Sequence, residues 1–174
     1  MPELELIFAP IRKHRLKILV EKAVEVGASR LTPVLTTRTQ AGAADQSALV
    51  KLGLTTAIEA AEQSERMTVP HVGVMAEPLA SILKEREIRQ SNACQSDAAP
   101  SAAGGLMENR CPRPPLYPAF LVGPEGGFDR EELDLLSASP VVHFVSLGST
   151  VLRAETAALY ALSCWSAFWA SSRA

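Results

Sequence analysis

The chain has 174 residues, of which 47% are hydrophobic, 21% charged and 5% aromatic, and its formal net charge is −2. That length predicts one domain, able to bury about 70% of the surface its unfolded chain exposes. The composition excludes a largely disordered chain, a collagen and a disulfide miniprotein. The net charge excludes a uniformly basic nucleic-acid coat, so contact with an anionic polymer has to use a local patch.

In chain order, Leu4 to Phe8 alternates as a first strand does. From Arg12 to Val26, apolar residues at Leu16, Leu19, Val20 and Ala23 have helical spacing, and Gly27 is suited to end that helix in a left-handed conformation. Arg30 to Leu35 reads as a second strand and Thr36 to Ala44 as a loop. Asp45 is the expected N-cap of a long helix whose core face carries Leu54, Ala57, Ile58 and Ala61. Met67 to Val74 predicts a short strand, with Pro70 disfavouring a central position, and Leu79 to Arg89 a short helix. Residues of about 90–116 are rich in Ser, Ala, Pro, Gly and Asn, which predicts a flexible surface insertion rather than a domain boundary.

Order returns with Ala119 to Val122, a buried-strand run, followed by a loop from Gly123 to Phe128. Asp129 with Glu132 three residues on has capping-box spacing. Val141 to Leu147 predicts a further strand, Gly148 to Thr150 a turn, and Arg153 to Ala170 a final helix with Ala158, Ala161, Leu162 and Trp165 at helical intervals. Thr156 to Ser172 carries no charge but is shorter than the roughly 20 residues a membrane span needs; a buried or subunit-interface helix is expected. Strands alternating with helices predict an α/β fold with a mostly parallel sheet flanked by helices. Ligands of such sheets bind beyond the carboxyl ends of the strands, which singles out two loops, Gly123–Phe128 and Leu147–Leu152.

Cys94, Cys111 and Cys164 form no CxxC pair, and His14, His71 and His143 lie far apart, so neither a metal site nor a disulfide framework is expected. A reducing, cytoplasmic setting fits, as does the lack of a basic-then-apolar leader. Residues 1–40 hold seven basic side chains (Arg12, Lys13, Arg15, Lys17, Lys22, Arg30, Arg38) against four acids. The dense run Arg12–Lys17 reads either as a solvated helix face or as a phosphate contact. Gly123-Pro-Glu-Gly-Gly-Phe128 matches neither GxGxxG nor GxxxxGK[ST]; it reads either as a tight turn or as a ligand loop whose glycines admit close backbone approach. Arg153 and Glu155 open an otherwise apolar helix. Glu155 suits the positive helix end and Arg153 does not, so Arg153 serves either a ligand or an acidic neighbour such as Glu155.

Leu121-Val-Gly-Pro-Glu-Gly-Gly-Phe128 followed by Leu147-Gly-Ser-Thr-Val-Leu-Arg-Ala-Glu-Thr-Ala157 resembles the RsmE family of SPOUT-class ribosomal RNA methyltransferases. Glu21 to Gly27, Pro33 to Arg38 and Ile58 to Arg66 resemble it as well. The resemblance spans roughly residues 4–90 and 117–170. It implies a trefoil-knotted domain, a homodimer formed through the C-terminal helix, and S-adenosylmethionine as cofactor. The implied reaction is methylation of N3 of a uridine in 16S ribosomal RNA, on naked RNA or the small subunit. The implied cofactor cradle is Leu121, Gly123, Glu125, Gly126, Leu147, Gly148, Val151, Leu152 and Thr156. Arg153 and Arg38 are the implied catalytic groups.

The chain departs from the family pattern at three places. The family's N-terminal RNA-binding barrel has no counterpart here, so the expectation is a single domain over 1–174. Ser149-Thr150 stands where the family has Pro-Arg, and Ala154 where it has Thr. Two rival readings stay open: a catalytically degenerate dimer that binds S-adenosylmethionine and RNA, and a truncated gene product.

Overall fold

The structure is a computed structural model that describes residues 3–39, 43–74, 76–96 and 118–171. Its elements in order are β1 (Glu5–Phe8), α1 (Lys13–Glu25), β2 (Arg30–Leu35), α2 (Ala43–Gln63), β3 (His71–Val72), β4 (Glu77–Pro78), α3 (Leu79–Ser96), β5 (Ala119–Val122), α4 (Arg130–Ala138) and α5 (Ala154–Ser171). The sheet runs β3-β2-β1-β5, with β4 also pairing with β2, and every one of these pairings is parallel.

β1 lies between β2 and β5, with Phe8 opposite Pro33 on one side and Val122 on the other. Its alternation feeds two cores, as a period of two requires. Leu6 and Phe8 join Leu16, Leu19, Val20 and Val24 of α1, Ala57, Ala60 and Ala61 of α2, and Ala158 and Leu162 of α5. Ile7 packs on the other face with Val34, Ile82 and Leu83 of α3, and Leu136 of α4. Helices α1, α2 and α5 therefore cover one face and α3 and α4 the other, the layering that an all-parallel sheet needs.

Gly27 ends α1 at φ 106°. Its N–H donates to the Val24 carbonyl, and that of Ala28 to Ala23, the reciprocal pair of a Schellman motif. Arg66, beyond α2, adds a side-chain cap by donating to the Val24 and Ala28 carbonyls at 2.8 and 2.7 Å.

Several expectations need correction. α2 begins at Ala43, so Asp45 lies inside its first turn rather than before it. α3 runs to Ser96, seven residues past Arg89 and into the expected insertion. Ser91 to Ser96 holds no Gly or Pro to stop it, and Ala and Gln favour it. The rest of the insertion, 97–116, lies outside the described residues. The strand expected over Met67–Val74 shrinks to His71–Val72, directly after Pro70. Val141–Leu147 is not a strand at all. Only Val142 of that run packs on the core, while Phe144 and Val145 are 62% and 67% exposed. β-propensity stabilises a strand through packing against neighbours, and this segment has few.

A charge is buried at the start of β1. Glu5 is 8% exposed, accepts a hydrogen bond from the Thr32 hydroxyl and pairs with Arg86 of α3. Removing one partner of a buried ion pair leaves an uncompensated charge, which costs about 3–5 kcal/mol. Arg86→Ala is therefore expected to lose about 3 kcal/mol of stability, read as a lower urea midpoint at unchanged slope.

Candidate functional site

β2 and β5 flank β1 and run in the same direction, so the loops that follow them emerge at one edge of the sheet, two strand spacings or about 10 Å apart. After β2 the chain turns tightly. The Thr39 N–H donates to the Thr36 carbonyl at 3.0 Å, and the two threonine hydroxyls lie 2.7 Å apart. This turn presents Thr37 and Arg38 toward the loop after β5.

That second loop turns through Pro124 to Gly127, closed by the Gly127 N–H donating to the Pro124 carbonyl at 2.9 Å. Gly127 has φ +71°, a region costly to other residues. Gly126 is constrained differently, since a Cβ there would sit 3.3 Å from Arg38 Cδ. At Gly123 a Cβ would come within 2.8 Å of the Phe128 ring. The three glycines thus serve two ends: one supplies its dihedral and two allow close approach.

Two side chains lock the loops together. Glu132 accepts from the Asp129 N–H at 2.9 Å through Oε2, while Asp129 Oδ1 accepts from the Glu132 N–H at 2.8 Å, the capping box that the spacing predicts. The other Glu132 oxygen accepts from the Thr37 N–H at 2.7 Å, so the cap of α4 is also the anchor of the β2 loop. Arg38 completes the lock, its Nη1 donating to the Gly126 carbonyl at 2.7 Å. The Asp129 carboxyl is held below its ordinary value of 3.8, first by the Glu132 N–H it accepts from, then by Thr37.

The loop before α5 is more open. Gly148 adopts φ +124° with nothing near its would-be Cβ. Val151 is fully exposed, Thr156 and Arg153 are exposed, and Leu147 and Leu152 are half-buried. Arg153 makes no ion pair with Glu155. That carboxylate instead faces Arg15 of α1, whose Nε lies 3.8 Å away and whose Nη1 reaches Glu125 at 2.7 Å. Of the residues singled out by sequence, Leu121, Gly123, Glu125, Gly126 and Arg38 gather around the β5 loop. Leu147, Gly148, Val151, Leu152, Arg153 and Thr156 form a second group, joined to the first through Arg15. Sequence reasoning missed Glu132 and Arg15 as organisers. The capping spacing marked Glu132, but no local pattern signals its bond to a residue 95 positions away.

A parallel α/β sheet with a glycine-rich loop at the carboxyl end of β5, joined through Arg15 to the start of α5, has the layout of an open α/β ligand-binding domain. Comparison narrows the class. The RNA methyltransferase domain family matches residues 1–166, and the chain belongs to that family. Ribosomal RNA small subunit methyltransferase E of Rickettsia conorii is 31% identical over 164 residues, covering 92% of this chain and 62% of that protein. The methyltransferase of that name from Neisseria gonorrhoeae, solved with S-adenosyl methionine bound, superposes with a TM-score of 0.73 at 27% identity over 97% of this chain and 67% of that one. A Legionella pneumophila protein solved with the same cofactor gives 0.74 at 26% identity, over 96% and 66%. The chain thus spans a little under two thirds of the Rickettsia relative's length. No helix among the described residues is long and apolar enough to cross a membrane.

The depressed Asp129 carboxyl gives a pH test. Its cap contributes in full above the unfolded value of 3.8 and is lost as pH falls through the lower folded value. The stability difference between wild type and Asp129→Ala, measured by urea unfolding, should be constant from about pH 7 to 5 and shrink progressively as pH falls below 3.8.

Proposed function

We propose that this domain transfers a methyl group from S-adenosylmethionine to N3 of a uridine in 16S ribosomal RNA, in the cytoplasm and as a homodimer. The observation that carries the reading is that the β5 loop and the start of α5, which bear the family motifs, are bridged by one arginine. The site's chemistry fits a cationic, nucleoside-bearing cofactor. Gly127 and Gly148 leave open backbone. Glu125 and Glu155 share a single arginine, and Glu155 Oε2 is buried without a hydrogen-bond partner.

When bound, the cofactor supplies an already activated methyl group on its sulfonium. The chain's work is alignment. Leu121, Gly123, Glu125 and Gly126 on one side, and Leu147, Gly148, Val151, Leu152 and Thr156 on the other, form its cradle. Uridine N3 has to give up its proton before or during attack, and nearby cations stabilise the resulting anion. Arg153, exposed and unpaired among the described residues, takes that role. Arg38, fixed on Gly126, orients the RNA beside it.

Within the basic run only Arg12 and Lys13 are exposed cations without an ion pair among the described residues, because Arg15 and Lys17 face carboxylates. They join Arg38 and Arg153 as the phosphate grip, and binding should be steeply salt-dependent. The dimer rests on α5. Tyr160 and Phe168 are 51% and 54% exposed along a stripe without charge. Trp165, at helical spacing with Ala158, Ala161 and Leu162, packs partly buried against the chain's own core.

Incubation with under-methylated small subunits and naked RNA, followed by nucleoside analysis, tests the reading. N3-methyluridine is expected from wild type, with at least a tenfold lower rate for Arg153→Ala. Phe168→Glu should sediment as a monomer and lose activity. A chain that binds the cofactor but leaves every uridine unmodified would support the degenerate binding dimer instead.

A further inference from the structure

Arg15 stands where three elements meet. It projects from the first turns of α1, in the run that sequence reads as either solvated or phosphate-binding. Yet its side chain is only 27% exposed, and its guanidinium reaches Glu125 of the β5 loop at 2.7 Å and Glu155 of α5 at 3.8 Å. Glu155 is 13% exposed, and its Oε2 is buried without a hydrogen-bond partner. The positive end of α5 offsets part of that charge. Arg15 supplies the rest and also ties Glu125 to the same point.

We propose that Arg15 is a positioning residue that sets the distance between the glycine loop and the start of α5 by bridging Glu125 and Glu155. Its link to cofactor affinity rests on the donor reading above. A planar fork with several donors can serve two carboxylates from one position, which an ammonium does poorly. Without it, two carboxylates face each other with no shared counter-charge, and like charges in a partly covered setting repel. The two halves of the cradle would then separate. Arg15 would touch neither the transferred methyl nor the RNA. Its effect would be on affinity and loop order.

Hydrogen–deuterium exchange on the full chain tests the bridge without any ligand. Arg15→Ala is expected to speed exchange in 123–128 and in 147–156 together, and Glu125→Gln added to it should slow both again by removing one of the facing charges. Lys22→Ala, which removes a cation of the same helix that among the described residues pairs with Glu21 and Glu25, should change neither. Calorimetry with S-adenosylhomocysteine should show about a tenfold affinity loss for Arg15→Ala and a smaller one for Arg15→Lys, which keeps the charge and stands in if the alanine variant does not fold. Unchanged exchange in both loops, or wild-type affinity in the arginine variants, overturns the proposal. A wild-type chain that binds no S-adenosylhomocysteine defeats the donor reading instead, and the exchange comparison still decides the bridge.

Discussion

The site depends on β1 having parallel neighbours on both sides. Four residues long and buried throughout, it holds β2 and β5 in matching direction, so that both strands deliver their loops to the same edge. An antiparallel neighbour would send one loop to the opposite end. The gap β1 leaves between the loops is about 10 Å, too wide for backbone contact. Side chains must span it, and Glu132 and Arg38 do so from opposite directions. The small residues of α2 serve the same end from below: Ala57, Ala60 and Ala61 join Leu6 and Phe8 in the core that supports the strand.

Charge at this edge is used in two ways. Arg15, Glu132 and Asp129 are committed to the protein's own architecture, each paired with a named partner. Arg12, Lys13 and Arg153 are left toward solvent. The division separates groups that shape the site from groups available to an anionic polymer. It also explains how a chain of net charge −2 can offer a local positive rim. The acids of this region are largely turned inward to arginines or backbone N–H groups, while the unpaired cations face out.

Much of the fold is legible in the sequence because periodicity and capping act locally. β1, α1, β2 and β5 fall close to where alternation, helical spacing and Gly27 place them, and the Asp129–Glu132 box forms as its spacing dictates. What sequence misreads depends on tertiary context. Val141–Leu147 has strand composition but little core to pack on. α3 outlasts its apolar pattern because no residue before 97 breaks it. At the site, motif resemblance marks both loops but not the Arg15 bridge, which joins residues 110 positions apart.

The central claim is that the β5 loop and the loop that leads into α5 form one cofactor site in this chain. Titrating the isotope-labelled protein with S-adenosylhomocysteine while following backbone amide resonances tests it most directly. The account predicts saturable shifts concentrated at 121–128 and 147–156, with α3 and the far end of α2 unmoved. Shifts confined to one loop, or centred elsewhere in the domain, would contradict it.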